Sequence, residues 1–333
     1  NTVAIFFGGS FWRLKNASGD AQYFQPRFRD WEDNEEYGRS IAEQVEAEGA
    51  ALLYNREESL PLKSGAKISL FSNSSVHPIY GGTGSGNIDA EDAKSLKDIM
   101  EELGFSVNET LWNFYETGAG SHFERQSKGM IAHASQVVSE VPWEIYTDDV
   151  LDSVKQYGDA AIVMLSRVGG EGVDLEFTQS NYLELDQNEK DMLKELTTKK
   201  KAGDVQKIIV LINSANALQM DFLRSEEFSI DAALWIGDVG LMGLEAVGKI
   251  LAGEVNPSGS LVDTYCYDNY SSPAMQNFVP VIYDGDLTLI PDVADTYMIY
   301  QEGIYVGYKY NETRYEDYVM GTGNAGDYKY HDS

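Results

Sequence analysis

A chain of 333 residues with 43% hydrophobic side chains can bury one large α/β core or two smaller ones, and its composition is that of a folding globular protein. Its 25 basic and 54 acidic residues leave a formal charge of -29, spread along the chain, which argues against nucleic acid or an anionic membrane as partner while leaving a neutral ligand such as a sugar little affected. Cys266 is the single cysteine, and His77, His122, His133 and His331 form no HxxxH or HExxH pair, so neither a disulfide framework nor a clustered metal site is expected.

The chain opens on "NTVAIFFGGSFW", apolar but far short of the ~20 residues a membrane span needs. It reads either as the clipped end of a longer apolar segment, a membrane anchor, or as a chain boundary. Residues 1–35 are taken as an irregular lead-in, 36–318 as one α/β domain and 319–333 as a linker. "SIAEQVEAEGAALLYN" carries Ile41, Ala42, Val45 and Ala50 at helical spacing and predicts a helix packed on the domain. "KISLFS" follows as a strand and "GGTGSG", Gly81 to Gly86, as a loop. "DAEDAKSLKDIMEELG" lines Ala93, Leu96, Ile99, Met100 and Leu103 on one helix face, with Gly104 just past its end. "FSVNETL" predicts a strand, and "DAAIVMLS" another, apolar throughout and so covered on both faces.

In "DQNEKDMLKELTTKK", Asp186 stands as N-cap and Glu189 at the capping-box position of a helix. "KIIVLINS" and "IDAALWIG" predict two more strands, and "GLMGLEAVGKILAGEV" a helix ended by Gly253. Strands alternating with helices imply a mostly parallel sheet flanked by helices. Residues 261–318 read as β-rich: "SLVDTY" as a short strand after the Pro257 and Gly259 turn, and "YQEGIYVGYKY" as an extended, hairpin-like segment. Sequons fall at Asn16, Asn73, Asn108, Asn269 and Asn311.

Ligands of parallel sheets gather at the carboxyl ends of the strands, where two stretches draw attention. After "DAAIVMLS" comes "RVGGEGVD", in which Gly169, Gly170 and Gly172 let the backbone turn around Glu171. Glu171 is either a working carboxyl group or a solvated turn residue. "GGTGSG" lacks the last glycine of the dinucleotide fingerprint, with Asn87 in its place, and lacks a Walker lysine, while GxSxG fails around Ser85 because residue 83 is threonine. What is left is a loop of close backbone approach, in which Gly84 and Ser85 offer N–H and hydroxyl groups to a polar ligand, or a plain glycine turn.

Taken together, "EGAALLYNREESLPL", "GGTGSG", "AIVMLSRVGGEGVD", "LELDQNEKDML", "VLINSANALQM", "DAALWIGDVGLMGLEAVGKILAGEVNPSGSLVDTY" and "YQEGIYVGYKY" resemble, in order, the second domain of the family 3 glycoside hydrolases, an (α/β)6 sandwich. The resemblance implies a retaining β-glycosidase acting on β-glucosides without a cofactor, with Glu171 as acid/base and an aspartate nucleophile supplied by a (β/α)8 barrel. It further implies Gly84 and Ser85 in one wall of the sugar pocket. Arg167 and Asp174 would orient or tune Glu171, or else serve as a surface ion pair or turn cap.

No barrel lies within these residues, and the order resembles members in which the sandwich comes first, then a fibronectin-type domain, then the barrel, some of them membrane-anchored. An extracellular or cell-surface location follows from that likeness, with the cytoplasm as alternative. The expected partners are a β-linked oligosaccharide or glucoside and the barrel, and an exposed half-cleft leaves self-association open. Two other readings stay on the table: a non-catalytic carbohydrate-binding or interaction module of the same fold, and a flavodoxin-like nucleotide-binding domain.

Overall fold

A computed structural model describes residues 27–28, 30–82, 84–123, 140–169, 184–276, 281–282, 296–297, 300 and 302–323. The chain divides into two units, Asn1–Ile41 and Ala42–Ser333. In the first, the Arg27 guanidinium lies 4.3 Å from the ring centre of Tyr37, whose ring is 5.0 Å from that of Phe28. Helix α1, Trp31–Gly49, starts earlier than the sequence pattern suggested and continues into the second unit. There Val45 is 66% exposed, and Glu43 pairs with Lys249, so a charged contact takes the place of the expected apolar face.

The second unit is an α/β sandwich. Its strands are β1 (Ala51–Asn55), β2 (Lys67–Phe71), β3 (Ser106–Val107), β4 (Ala160–Arg167), β5 (Ile208–Ser214) and β6 (Ala232–Trp235). They form one sheet in the order β1-β6-β5-β4-β2-β3, in which only β1 runs antiparallel, against β6. The expected sandwich with a mostly parallel sheet is therefore present. Helices α2 (Leu96–Glu102) and α6 (Gly243–Ala252) cover one face, and α3 (Glu109–Glu116), α4 (Asp148–Gln156) and α5 (Gln187–Ala202) the other.

Period-two geometry makes this arrangement work. Along β4, Ala160, Ile162 and Met164 point into the α2/α6 layer, whereas Ala161, Val163 and Leu165 point into the α3/α4/α5 layer. All eight residues of β4 are buried, as are all seven of β5. Each buried aliphatic side chain contributes about 1.5–3 kcal/mol relative to exposure. Local chemistry sets the helix ends. The Asp186 carboxylate accepts the Glu189 N–H (2.6 Å) and the Glu189 carboxylate accepts the Asp186 N–H (2.8 Å), closing the expected capping box of α5. Gly253, at φ 80°, ends α6 in the left-handed region.

Several expectations are corrected. "ALLYN" is the edge strand β1 and not the end of a helix, and "NETL" opens α3, with Asn108 as its N-cap toward Leu111 N (3.1 Å). No strand is found among residues 253–276, and from Tyr308 the chain is helix α7, Tyr308–Met320, where an extended hairpin was expected. Three sequon asparagines are buried and committed: Asn73 to Gly120 O, Asn108 to Ser69 and Ser153, and Asn269 to Ala217 O. Among the described residues no helix is long and apolar enough to cross a membrane, and the apolar start lies outside them.

Candidate functional site

In the strand order, β3 flanks β2 on one side and β4 on the other, so the connections leaving β2 and β4 diverge and open a crevice beyond their carboxyl ends. Four strand-end segments meet there. After β2 comes Ser72 at φ 82°, whose Oγ caps the single turn Asn73–Val76, and then residues 77–82. Val168 and Gly169 follow β4, Ala215 and Asn216 follow β5, and residues 236–240 follow β6.

Asn213, the penultimate residue of β5 and fully buried, ties these segments together. Its Oδ1 accepts the Ile79 N–H (2.6 Å) and the Ser166 hydroxyl (2.8 Å), and its Nδ2 donates to Ile79 O (2.9 Å) and Gly237 O (2.6 Å). The backbone of Gly240 donates to Tyr80 O (2.8 Å). Bare backbone allows the closest approach: a Cβ on Gly82 would lie 3.1 Å from Gly169 O, and one on Gly169 3.3 Å from the Asn216 side chain. The structure thus brings the start of the "GGTGSG" loop against the start of the stretch leading to Glu171. Gly84 (φ 65°) and Ser85 lie on the short 3-10 turn Gly84–Gly86 that continues this loop, with Ser85 exposed. Glu171 and Asp174 lie outside the described residues.

Arg167, the last residue of β4, is neither at the surface nor a turn cap. Its side chain is 0% exposed and holds Glu189, 3% exposed, through two parallel bonds of 2.7 Å. It also donates to Ser166 O (3.0 Å) and Glu184 O (2.8 Å). One guanidinium therefore grips the end of β4, the residue two before the α5 N-cap and the capping-box carboxylate. The sequence signalled Glu189 as a cap, but its second role requires β4 to arrive at that helix end.

Beside this pair sits a buried polar group that sequence reading missed. Glu140, 4% exposed, bonds to Ser72 and accepts the Val141 N–H (2.8 Å). Burial in apolar surroundings pushes its carboxyl group up to about 8, with Glu189 and Asp186 adding to the effect. The Tyr115 hydroxyl accepts Ser72 N–H (2.9 Å) and meets the Tyr146 hydroxyl at 2.5 Å. Burial lifts both phenols well above their ordinary range, so they stay protonated. Asp186 is raised to about 6, by burial first and then by the nearby Glu189.

A third group, also unforeseen, stands at the end of β6. The Trp235 indole N–H donates to Ser214 O (2.9 Å), and Tyr265 bonds to Trp235. One oxygen of Asp238 takes the Ala215 N–H, while its Oδ1 is buried without a hydrogen-bond partner among the described residues. Among the described residues no group of three or more His, Cys, Asp or Glu side chains is placed to hold a metal ion.

Sheet order and helix layers define an α/β sandwich domain of the kind that presents a ligand site beyond the carboxyl ends of its strands. Residues 50–308 match the family described as glycosyl hydrolase family 3 C-terminal domain, and the chain belongs to that family. A β-glucosidase from Ruminococcus albus is 30% identical over 291 residues, which cover 87% of this chain and 28% of that protein. β-Glucosidase A from Butyrivibrio fibrisolvens is 26% identical, covering 80% and 31%. Among solved structures, a β-glucosidase from Paenibacillus barengoltzii superposes with a TM-score of 0.69 at 28% identity, covering 85% of this chain and 28% of that one. β-Glucosidase 3B from Thermotoga neapolitana in complex with glucose gives 0.67 at 27% identity, covering 87% and 37%. The chain thus spans about a third or less of the curated relatives it matches.

Proposed function

We propose that this chain is the sandwich portion of a retaining β-glucosidase and that Glu171 is its acid/base residue. The supporting observation is the convergence of Gly82 and Gly169 at the crevice between β2 and β4, in a chain of glycosyl hydrolase family 3. Glu171 follows Gly169 by two residues in the sequence. Retention needs a second carboxylate about 5–5.5 Å away as nucleophile. That group belongs to the part of the enzyme corresponding to the remaining length of the relatives, expected to be a barrel. Glu171 protonates the departing glycosidic oxygen, and then, as carboxylate, removes a proton from the water that releases the sugar.

Gly84 and Ser85 contribute one wall of the glycone pocket, and Asp174 tunes Glu171. Arg167, its guanidinium engaged by Glu189 and two carbonyls, acts as a positioning residue. The test is Glu171→Gln in the complete enzyme, assayed with aryl β-glucosides of graded leaving-group acidity. The first step should slow by about 10²–10⁴-fold for poor leaving groups and far less for good ones. Equal losses across the series would refute the assignment.

A further inference from the structure

Trp235, Asp238 and Tyr265 have no part in the proposed acid/base chemistry, yet they are arranged as a site. Trp235 is half-buried, and its indole N–H is fixed to Ser214 O, so the ring cannot turn away. Gly237, at φ 53°, folds the chain against the edge of that ring, where a Cβ would lie 3.1 Å from the indole Cη2. Asp238 follows this turn, held by the Ala215 N–H, and its charge adds to the burial that raises the Tyr265 phenol.

Burial pushes the Tyr265 hydroxyl up to about 12, so it is a neutral donor throughout the working pH range. Among the described residues Asp238 Oδ1 has no donor. Buried acceptors are normally satisfied, and an exception at the rim of a ligand crevice marks a place for an incoming donor.

We propose that Asp238, Trp235 and Tyr265 form a sugar subsite, in which Asp238 Oδ1 accepts a ligand hydroxyl and the aromatic rings pack against the apolar C–H face of the pyranose. The identity of the ligand as a sugar rests on the glycosidase reading. The rings favour a ligand with an apolar face, and the chain's charge of -29 disfavours an anion. A metal ion fits poorly, since the described residues offer no cluster of three ligating side chains.

The probe is methyl β-D-glucopyranoside, titrated into the 333-residue chain while NMR follows the Trp235 indole N–H and the Asp238 carboxyl carbon. Saturable shifts of both resonances are expected. Asp238→Ala should weaken the apparent affinity about tenfold or more, because a hydrogen bond to a charged acceptor is lost. Asp238→Asn, nearly isosteric, controls for folding and should retain part of the binding. Absence of shifts at both resonances, or the same shifts produced by calcium chloride and not by the glucoside, would overturn the proposal. The titration reads the Trp235 and Asp238 contacts, whereas the leaving-group series reads Glu171. Loss of the leaving-group effect with intact glucoside binding thus fails the catalytic reading alone, and the reverse pattern fails the subsite alone.

Discussion

Replacing Glu189 with leucine leaves the Arg167 guanidinium buried with its counter-charge removed. Both partners are almost wholly excluded from solvent, so the screening that makes surface pairs nearly worthless does not apply here. Breaking such a pair from one side typically costs 3–5 kcal/mol, and the lost capping-box bond to Asp186 N–H adds about 1 kcal/mol. At about 2–4 °C per kcal/mol for a domain of this class, Tm should fall by roughly 10–20 °C.

The double variant Arg167→Met with Glu189→Leu removes both charges and keeps the volume, and should recover much of that loss, because a buried pair exchanged for apolar side chains is often neutral or better. Urea denaturation of the wild type, both single variants and the double variant supplies the coupling energy, expected at about 2–3 kcal/mol. A cost below about 1 kcal/mol for Glu189→Leu, or simple additivity of the two single changes, would show that the pair is not the clasp described here.

Glu140 offers a test with pH as the variable. Its carboxyl group is raised from an ordinary 4.5 to about 8, so the folded state holds the proton more tightly than the unfolded one. The stability this provides is complete below about pH 4.5 and is lost as pH rises through 8. Glu140→Gln should reduce the fall of stability with pH across that window without abolishing it, because Glu46, also raised to about 8, contributes over the same range and Asp186, raised to about 6, adds to it below about pH 6, both with the same sign. An unchanged slope in urea melts between pH 5 and 8 would contradict the burial argument. Asn213→Leu removes four hydrogen bonds at once and leaves the Ile79 N–H and two carbonyls without their partner, for an expected loss of about 3 kcal/mol and faster hydrogen exchange at Ile79; wild-type exchange there would refute its role as the knot of the crevice.

How much of this was readable from the residues depended on how far away the deciding partner lay. The apolar run of β4 predicts a strand covered on both faces wherever it sits, because every side chain in it resists water. Asp186, Glu189 and Gly253 mark helix ends through bonds and backbone angles contained within a single turn, and all three were foreseen. "GGTGSG" reads as a loop of close backbone approach or a plain turn, and Gly169 as part of a turn around Glu171, but nothing in either stretch says that Gly82 and Gly169 approach each other.

Elsewhere the tertiary structure decided. "ALLYN" suits a helix as well as a strand, and becomes β1 because Ala232–Trp235, some 180 residues later, offers an open edge to pair with. The aromatic alternation of 300–310 suggests an extended segment, yet Tyr308–Met320 is helix, with Arg314 buried in α7. The clasp of Arg167 and Glu189 and the burial of Glu140 share one feature: each takes its character from groups far away in sequence. Composition and period report how a side chain meets water and its near neighbours, which is enough to specify the layers. The charge state and partners of a buried polar group depend on which distant segments exclude water around it, and only the folded chain sets that.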